Sequence, residues 1–585
     1  MLVDFSVKMD THSRAGCIVK MIADSSHVQA GHLRTDFINF PNRAGLKLAA
    51  CLDHSGDLRG RPWVVIAPKY GETKKNNLQL AYYLAANGLN VLRFDQTNHL
   101  GESEGRMQDF SLPGAVDDIL GCLDYLGSQL QVGEAVLISN SLSARCAFRA
   151  AAQDARISRV ISVVGVVNMQ ATLREVYKED IFGTYLSGRR WGLTDILGFD
   201  INGEIFLGTA VETGMHDLAG SAVDIAKLRV PLVYFYAMND TWVDYQDVMR
   251  ATEKQPLCRL IAVEGAMHEV RENPRAAEEV FRQIIWACRH DTAYPGDEQA
   301  RLQIPEMKLI LAQNRQERER MRRSEAPAES ENDFWSGYLQ KYSVLEKSED
   351  YHQYIALLGR LCAFRPGAVV LDAGCGNGMF GLWVLREALN QRRVVTARDL
   401  PALYVGVDLT ARGLNDAVGH HGATLRKGGT ELAHRALPGA GYLRFDFNDL
   451  TDAAGAPRLP FADGTFDVVC CSLVLSYLKR PQALLREVAR VVRPGGVLVA
   501  SSMKPHCDMS VIYRDFMAQQ VTTDELEAAR DLLRAASKIR LKEEVGHYAF
   551  FSDTELASLA SEAGFSVQES FHSLGNQAIV IKAQK

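Results

Sequence analysis

No stretch of this sequence holds the ~18 consecutive apolar residues that a membrane-crossing helix needs, so no membrane span is expected. Basic charge is not in excess: 65 Lys and Arg stand against 71 Asp and Glu, a net charge of −6. That excludes a strongly basic binder of nucleic acid or of an anionic lipid surface and leaves only a local patch. The 11 cysteines lack paired metal-ligand spacing. Cys470 and Cys471 fall inside an apolar, strand-like run, so buried and reduced thiols are expected, as in a cytoplasmic protein. No metal-ligand constellation, internal repeat or low-complexity tract is present. Residues 1–20 mix charge with short apolar pieces and lack the apolar core of a signal peptide.

What is there reads as globular. The chain is 47% hydrophobic and 23% charged, which rules out a largely disordered or fibrous chain. Its 585 residues exceed one hydrophobic core, and at ~100–200 residues per domain two to four domains are expected. One segment breaks the texture: from Gln313 the chain reads QNRQERERMRRSEAPAESEN, dense in charge and poor in core-forming residues. It reads as a solvated helix running into a charged linker. The expected division is a domain over 1–312, a linker over 313–333 and a second domain over 334–585.

Both halves alternate short β-branched runs with longer helix-period segments, the pattern of an α/β fold with mainly parallel sheets covered by helices. In the first half the expected strands are Trp63–Ala67, Val91–Phe94, Ala135–Ile138, Val160–Val164 and Pro231–Tyr236. In the second they are Val369–Leu371, Tyr404–Val407, Phe466–Cys471 and Gly496–Ser501. Strands of such sheets lend their carboxyl-end loops to ligands, which is where chemistry is sought.

Ala135 to Arg145 reads AVLISNSLSAR. A buried strand that ends in small-x-Ser-x-small and enters a helix has the layout of a nucleophile elbow. Ser141 would stand at the turn, with Ser139 and Ser143 where glycines are commoner, and the helix N-terminus behind it would favour an oxyanion. The three serines could equally cap a helix. Chain order decides between the two. PLVYFYAMND sets Asp240 just past a late strand, and IAVEGAMHE sets His268 past another apolar run, Leu260–Val263, 28 residues on. Serine needs the histidine as general base, and the histidine needs the acid to hold its tautomer. An oxyanion hole would combine the N–H of Leu142 with one from the loop after Trp63–Ala67, that of Lys69 or Tyr70. Asp95 and His99, at another strand end, read as loop-building residues. From about 169 to 230 runs an insertion carrying Tyr177, Phe182, Tyr185, Trp191 and Phe206. It reads as a cap whose aromatics either line an apolar acyl site or pack the cap's own small core.

The stretches NSLSARCAF, VVGVVNMQATL, AMNDTWV and GAMHEVREN resemble the acyl-ACP thioesterase or acyl transferase family of bacterial luminescence, within the α/β-hydrolase superfamily, over about residues 35–290. The resemblance implies that Ser141 takes an acyl group from an acyl carrier protein thioester, with Asp240 as acid and His268 as base. The chain departs from the family around Tyr70–Asn77 and in the cap.

Val369 to Gly378 reads VVLDAGCGNG, a strand running into glycines at 374, 376 and 378. A bare Gly-x-Gly-x-Gly is a weak signal, but its context sharpens it. YVGVD ends in Asp408, FDFNDL offers Asp446, and PFADGTFDVVCCSLVLSYL and REVARVVRPGGVLVASS follow. Glycines let the backbone approach a ligand, and an acid ending the next strand can accept from ribose hydroxyls.

This set resembles the class I S-adenosylmethionine-dependent methyltransferases over about 335–585, a Rossmann-like fold. By position, the resemblance assigns Asp372, Gly374 and Gly376 to the methionine moiety of S-adenosylmethionine, Asp408 to the ribose and Asp446 to the adenine edge. Ser472 follows the strand that flanks the methyl group. The 36 residues from Asp372 to Asp408 exceed the ~20 of an adjacent strand, and an insertion is expected around Gln391–Leu400. Pro494-Gly495-Gly496 and the terminal EAGF pattern favour methyl transfer over a nicotinamide enzyme. His506 and Tyr513 could face an acceptor, although capping or packing fits each as well, and no residue is a clear catalytic base.

The expectation is a bifunctional enzyme: a serine thioesterase or acyltransferase for fatty or polyketide acyl groups, joined to a methyltransferase acting on the product, with a methyl ester as the simplest outcome. Transfer of the acyl group to an amine or alcohol, or one half serving only as a docking module, are the alternatives.

Overall fold

The computed structural model describes residues 33–56, 58–324, 330–340, 347–363, 365, 367–391, 403–427, 440–451, 458–507, 532, 535–536 and 538–585. Two compact units divide the chain, the first reaching Arg320 apart from Asp195–Phe199, the second continuing from Met321.

In the first unit an eight-stranded sheet is built from β1 (Arg34–Pro41), β2 (Lys47–His54), β3 (Trp63–Ala67), β4 (Asn90–Phe94), β5 (Ala135–Asn140) and β6 (Ile157–Val163). A separate two-stranded ladder, β7 (Leu193–Ile196) and β8 (Phe199–Asn202), precedes β9 (Leu232–Ala237) and β10 (Cys258–Val263). The order is β1-β2-β4-β3-β5-β6-β9-β10. β1, β2 and β4 pair antiparallel, and every later pair is parallel. β3 is wholly buried, and β5 is buried up to Ser139. Their unbroken apolar runs are those of strands covered on both faces. This is an α/β-hydrolase-like sheet, and the loops after β3, β4, β5, β9 and β10 leave it at one edge.

Between β6 and β9 the cap comprises helices Met169–Tyr177, Ile181–Leu186, Gly203–Glu212 and Leu218–Ala226 beside the β7–β8 ladder. Phe182 and Phe206 are fully buried, so these aromatics serve the packing. The ring of Phe206 also reaches Phe110 (6.2 Å) and Tyr70 (6.3 Å).

The charged run expected to be a solvated linker from 313 onward begins differently. Met307–Ser324 is one helix. Ile310, Gln313 and Glu317, spaced on one face, are buried, and Ile310 joins an apolar core cluster of the first unit. The first unit therefore extends past 312, because a buried Arg93 draws Glu317 onto it.

The second unit holds β11 (Val369–Ala373), β12 (Leu403–Asp408), β13 (Ala440–Arg444), β14 (Phe466–Cys471), β15 (Val492–Met503), β16 (Ser566–Ser573) and β17 (Ala578–Gln584). Their order is β13-β12-β11-β14-β15-β17-β16. All neighbours are parallel except β17, which is antiparallel to both β15 and β16. Apolar clusters cover both faces. Strand order reverses between β11 and β14, the switch point at which a ligand crevice opens in a Rossmann-like sheet. The insertion expected at 391–400 lies outside the described residues beyond Gln391, where the helix Met379–Gln391 ends.

Candidate active site

β5 delivers Ser141 into a turn with φ of +51°, the left-handed region that a residue with a Cβ rarely enters. The turn is tied from both sides: Ser141 N–H donates to Val163 O at 3.1 Å, and its carbonyl accepts from Val166 N–H at 2.9 Å. Gly165 lies so close beneath that a Cβ there would stand 2.6 Å from the Cβ of Ala144. At the flanking positions, Ser143 Oγ accepts from Asn140 N–H at 3.0 Å and donates to Asn140 O at 2.9 Å. The hydroxyl thus closes the turn that a glycine would merely permit. Ser139 Oγ finds no partner among the described residues.

Three strand ends converge on this turn. Ser141 Oγ donates to His268 Nε2 at 2.7 Å, and His268 Nδ1 donates to Asp240 Oδ2 at 2.9 Å. Asp240 Oδ1 accepts from the N–H groups of Trp242 (2.8 Å) and Val243 (3.2 Å), which fixes the carboxylate plane. Both His268 and Asp240 are buried at the side chain. The arrangement supports a proton passing from Oγ to Nε2 while the acid holds the tautomer.

The residues proposed for an oxyanion hole also lie at this edge. Leu142 has helical dihedrals (φ −63°, ψ −29°) at the cap of helix Ser143–Gln153, where the first N–H groups have no intrahelical acceptor. The loop after β3 is held by its side chains. Lys69 Nζ pairs with Glu269, and Arg271 bonds Glu269 (2.7 Å) and Glu72 (2.5 Å), joining the loop of Lys69 to that of His268. Tyr70 is buried, its ring edge-on to His99 and Phe110. Gly71 N–H donates to His99 Nε2 at 3.1 Å, and burial pushes the His99 imidazole down to about 3, so it stays a neutral acceptor. Asp95 receives Lys74 through both its backbone and its ammonium, together with Glu102 N–H. Asp95 and His99 are therefore loop-building residues. The ion-pair quartet of Lys69, Glu269, Arg271 and Glu72 was not legible in sequence. Nor was Trp242, though it stands two residues past the acid.

In the second unit the glycine loop follows β11. Gly374, Gly376 and Gly378 have φ of +82°, +50° and +82°. A Cβ on Gly374 would stand 1.9 Å from Val474, so only glycine fits there. Asp372 is fully buried. Its Oδ2 accepts from Tyr404 OH at 2.7 Å, while Oδ1 is buried without a partner among the described residues. Burial pushes this carboxyl up to about 7, with Tyr404 opposing and Asp408 adding to the rise. Gly376 N–H donates to Asp408 Oδ2 at 2.9 Å, and Thr410 gives both its N–H and its hydroxyl to Oδ1 at 2.8 Å. Oδ2 thus keeps a lone pair for a further donor. Asp446, past β13, accepts from Asn448 N–H through Oδ1 at 2.8 Å. Ser472, past β14, is bonded to Tyr354 OH at 2.7 Å, and Tyr354 in turn to Ser501 at 2.6 Å.

A residue not anticipated props the loop from below. His421 Nε2 donates to Gly378 O at 2.8 Å, and its Nδ1 meets Tyr442 OH at 2.6 Å. His506 lies just past β15 with φ of +59°, and Tyr513 lies outside the described residues. The orphaned Asp372 oxygen and the glycine-only backbone fit a cofactor with a cationic end and ribose hydroxyls.

A family model described as acyl transferase matches residues 57–289, and one described as a methyltransferase domain matches 347–570. An acyl transferase of Photobacterium phosphoreum is 30% identical over 227 residues, 38% of this chain and 74% of that protein. One from Photorhabdus luminescens is 29% identical over 230 residues, covering 38% and 73%. Among solved structures, Est1E from Butyrivibrio proteoclasticus bound to ferulic acid aligns at 18% identity and a TM-score of 0.35, over 43% of this chain and 98% of that one. A monoacylglycerol lipase of Paleococcus ferrophilus aligns at 20% and 0.34, over 42% and 99%.

Proposed function

Since the chain belongs to the acyl transferase family through its N-terminal half and carries a methyltransferase domain behind it, we propose that Ser141 accepts a fatty or polyketide acyl group from an acyl carrier protein thioester. The second domain then methylates the released product with S-adenosylmethionine. The enzyme is bifunctional, combining acyl transfer with methylation. The observation that carries the finer reading is the continuous path from Ser141 through His268 to Asp240, at 2.7 and 2.9 Å, with the serine held at a left-handed turn.

In this reading Ser141 Oγ attacks the thioester carbonyl while His268 Nε2 takes its proton. The oxyanion lies against the N–H of Leu142 and one from Lys69 or Tyr70. Collapse breaks the carbon–sulfur bond, and the imidazolium returns the proton to the leaving thiolate. Water or an acceptor hydroxyl or amine then gives its proton to His268 and attacks the acyl carbonyl, and the imidazolium returns that proton to Ser141 Oγ as the bond from Oγ to the acyl carbon breaks.

S-adenosylmethionine supplies an electrophilic methyl group on a sulfonium. Asp372, Gly374 and Gly376 would hold its methionine end, Asp408 the ribose and Asp446 the adenine edge, with Ser472 beside the methyl-bearing crevice. Alignment of the acceptor can carry such a transfer without a dedicated base. Hydrolysis followed by methylation gives a methyl ester. Transfer to an amine or alcohol is the second reading, favoured by the relatives' description as acyl transferases. Among the described residues the cysteines are free and, apart from the half-buried Cys258, buried, which fits a cytoplasmic setting.

The test is intact-mass analysis of the full chain incubated with a panel of acyl carrier thioesters. An acyl adduct lost in Ser141→Ala supports the reading and names the donor. An adduct that persists in Ser141→Ala refutes it.

A further inference from the structure

The imidazole of His268 has a third partner besides Ser141 and Asp240. The indole of Trp242 stacks on it, with ring centroids 4.8 Å apart and planes inclined by 17°. Stacking at this distance covers one face of the ring and keeps water from it.

Trp242 is pinned at its backbone from both sides. Its N–H donates to Asp240 Oδ1 at 2.8 Å, and its carbonyl accepts from Thr172 Oγ1 at 2.9 Å. Thr172 is buried and belongs to Met169–Tyr177, the first helix of the cap. Asn168, which caps that helix, donates to Asp247 Oδ2 at 2.7 Å. The acid, the stacked ring and the first cap helix therefore form one hydrogen-bonded assembly.

The chemistry gives that assembly a role. When His268 takes a proton from Ser141 it becomes a cation, and an aromatic face within ~6 Å attracts a cation through its quadrupole. Asp240 acts at the ring's edge and Trp242 at its face. The other charged groups beside the histidine loop, among the described residues, are Lys69, Glu269, Arg271 and Glu72, two cations and two anions that pair with one another, and the buried Glu272, whose Oε1 accepts from Met267 N–H at 3.0 Å.

We propose that Trp242 is a positioning residue for the acyl step: its indole fixes the plane of His268 and stabilises the imidazolium, and the cap helix sets the indole in place through Thr172. The proposal rests on the Ser141–His268–Asp240 reading above.

The test uses the full chain with a p-nitrophenyl octanoate probe. Trp242→Leu is expected to lower kcat about tenfold with KM within about twofold, the scale of a desolvated cation–π contact. The acid limb of the kcat/KM profile should move to lower pH, because an imidazolium without its aromatic partner gives up its proton more readily. Trp242→Phe should stay within about threefold of wild type. Thr172→Val should lower kcat about threefold, and Thr172→Ser should restore it.

A wild-type kcat in Trp242→Leu, or a lowered kcat with the acid limb unmoved, overturns the proposal. Should Trp242→Leu fail to fold, equal rates in Thr172→Val and Thr172→Ser overturn it. Ser141→Ala separates the two levels. Turnover that survives there removes the triad and this proposal together, whereas an inactive Ser141→Ala beside an unaffected Trp242→Leu sinks the stacking role alone.

Discussion

Glu317 closes on Arg93 through two hydrogen bonds, of 2.6 and 2.8 Å, across 224 residues of sequence. Arg93 also bonds Asp53 through Nε (2.6 Å) and Nη2 (3.1 Å), and Nη1 donates to Lys74 O at 3.0 Å. All five guanidinium protons are thereby satisfied in a site with no solvent exposure. Burial alone would raise the Glu317 carboxyl, but the guanidinium outweighs it and holds the group below its ordinary value. A helix that reads as a solvated linker is in this way part of the first domain.

Glu317→Ala should therefore destabilise the first domain by about 3 kcal/mol, the lower end for a broken buried pair, because Asp53 still faces the guanidinium. Urea unfolding of the full chain measures it as a lower midpoint for one of its transitions. By the same argument a fragment ending at 312 should fail to fold stably, whereas one ending at 324 should be well behaved. Equal stability of the two fragments would refute this account of the boundary.

Ser141→Ala should abolish acyl-enzyme formation, and His268→Ala should lower acylation by several orders of magnitude, because the hydroxyl loses its base. Rapid-quench measurement of adduct formation distinguishes them. Binding of S-adenosylhomocysteine by the second domain, followed by calorimetry, should be unchanged in both.

What could be read from sequence follows from what each element depends on. β3 and β14 fall at the expected Trp63–Ala67 and Phe466–Cys471, since a strand covered on both faces writes its burial as one apolar run. β1 and β16 carry no such run, being edge strands of mixed exposure. β2 has one, Leu48–Leu52, but follows it with a buried Asp53, a charge that makes sense only beside Arg93 of β4. The triad was legible because its members stand at strand ends in a fixed chain order. The Trp242 stack and the quartet around Lys69 were not, since they arise where separate loops meet in space. The buried stripe of the 307–324 helix was hidden because two of its residues, Gln313 and Glu317, are polar.

Asp408→Ala should weaken S-adenosylhomocysteine binding by roughly 1–3 kcal/mol, the scale for charge-assisted bonds to hydroxyls. The carboxylate also holds Gly376 N–H and Thr410, so the loop loosens as the ligand contact is lost. Asp408→Asn retains an acceptor for Thr410 and should fall between the two. Calorimetry on the full chain measures both, and affinity unchanged in Asp408→Ala would take the ribose away from this residue.

Asp372 should make cofactor binding depend on pH. Its carboxyl is pushed up to about 7 by burial, so below that pH the unliganded site holds largely the neutral acid. A cationic methionine end favours the carboxylate instead, so binding should expel the proton. The sign follows: affinity for S-adenosylmethionine should be full above about pH 7 and fall as the pH drops below it, with protons released on binding. Calorimetry in buffers of different ionisation enthalpy reads that release directly, without turnover. Asp372→Asn should bind more weakly at high pH and show no proton release near neutrality. Proton uptake on binding, or a release that survives in Asp372→Asn, would place the titrating group elsewhere in the site.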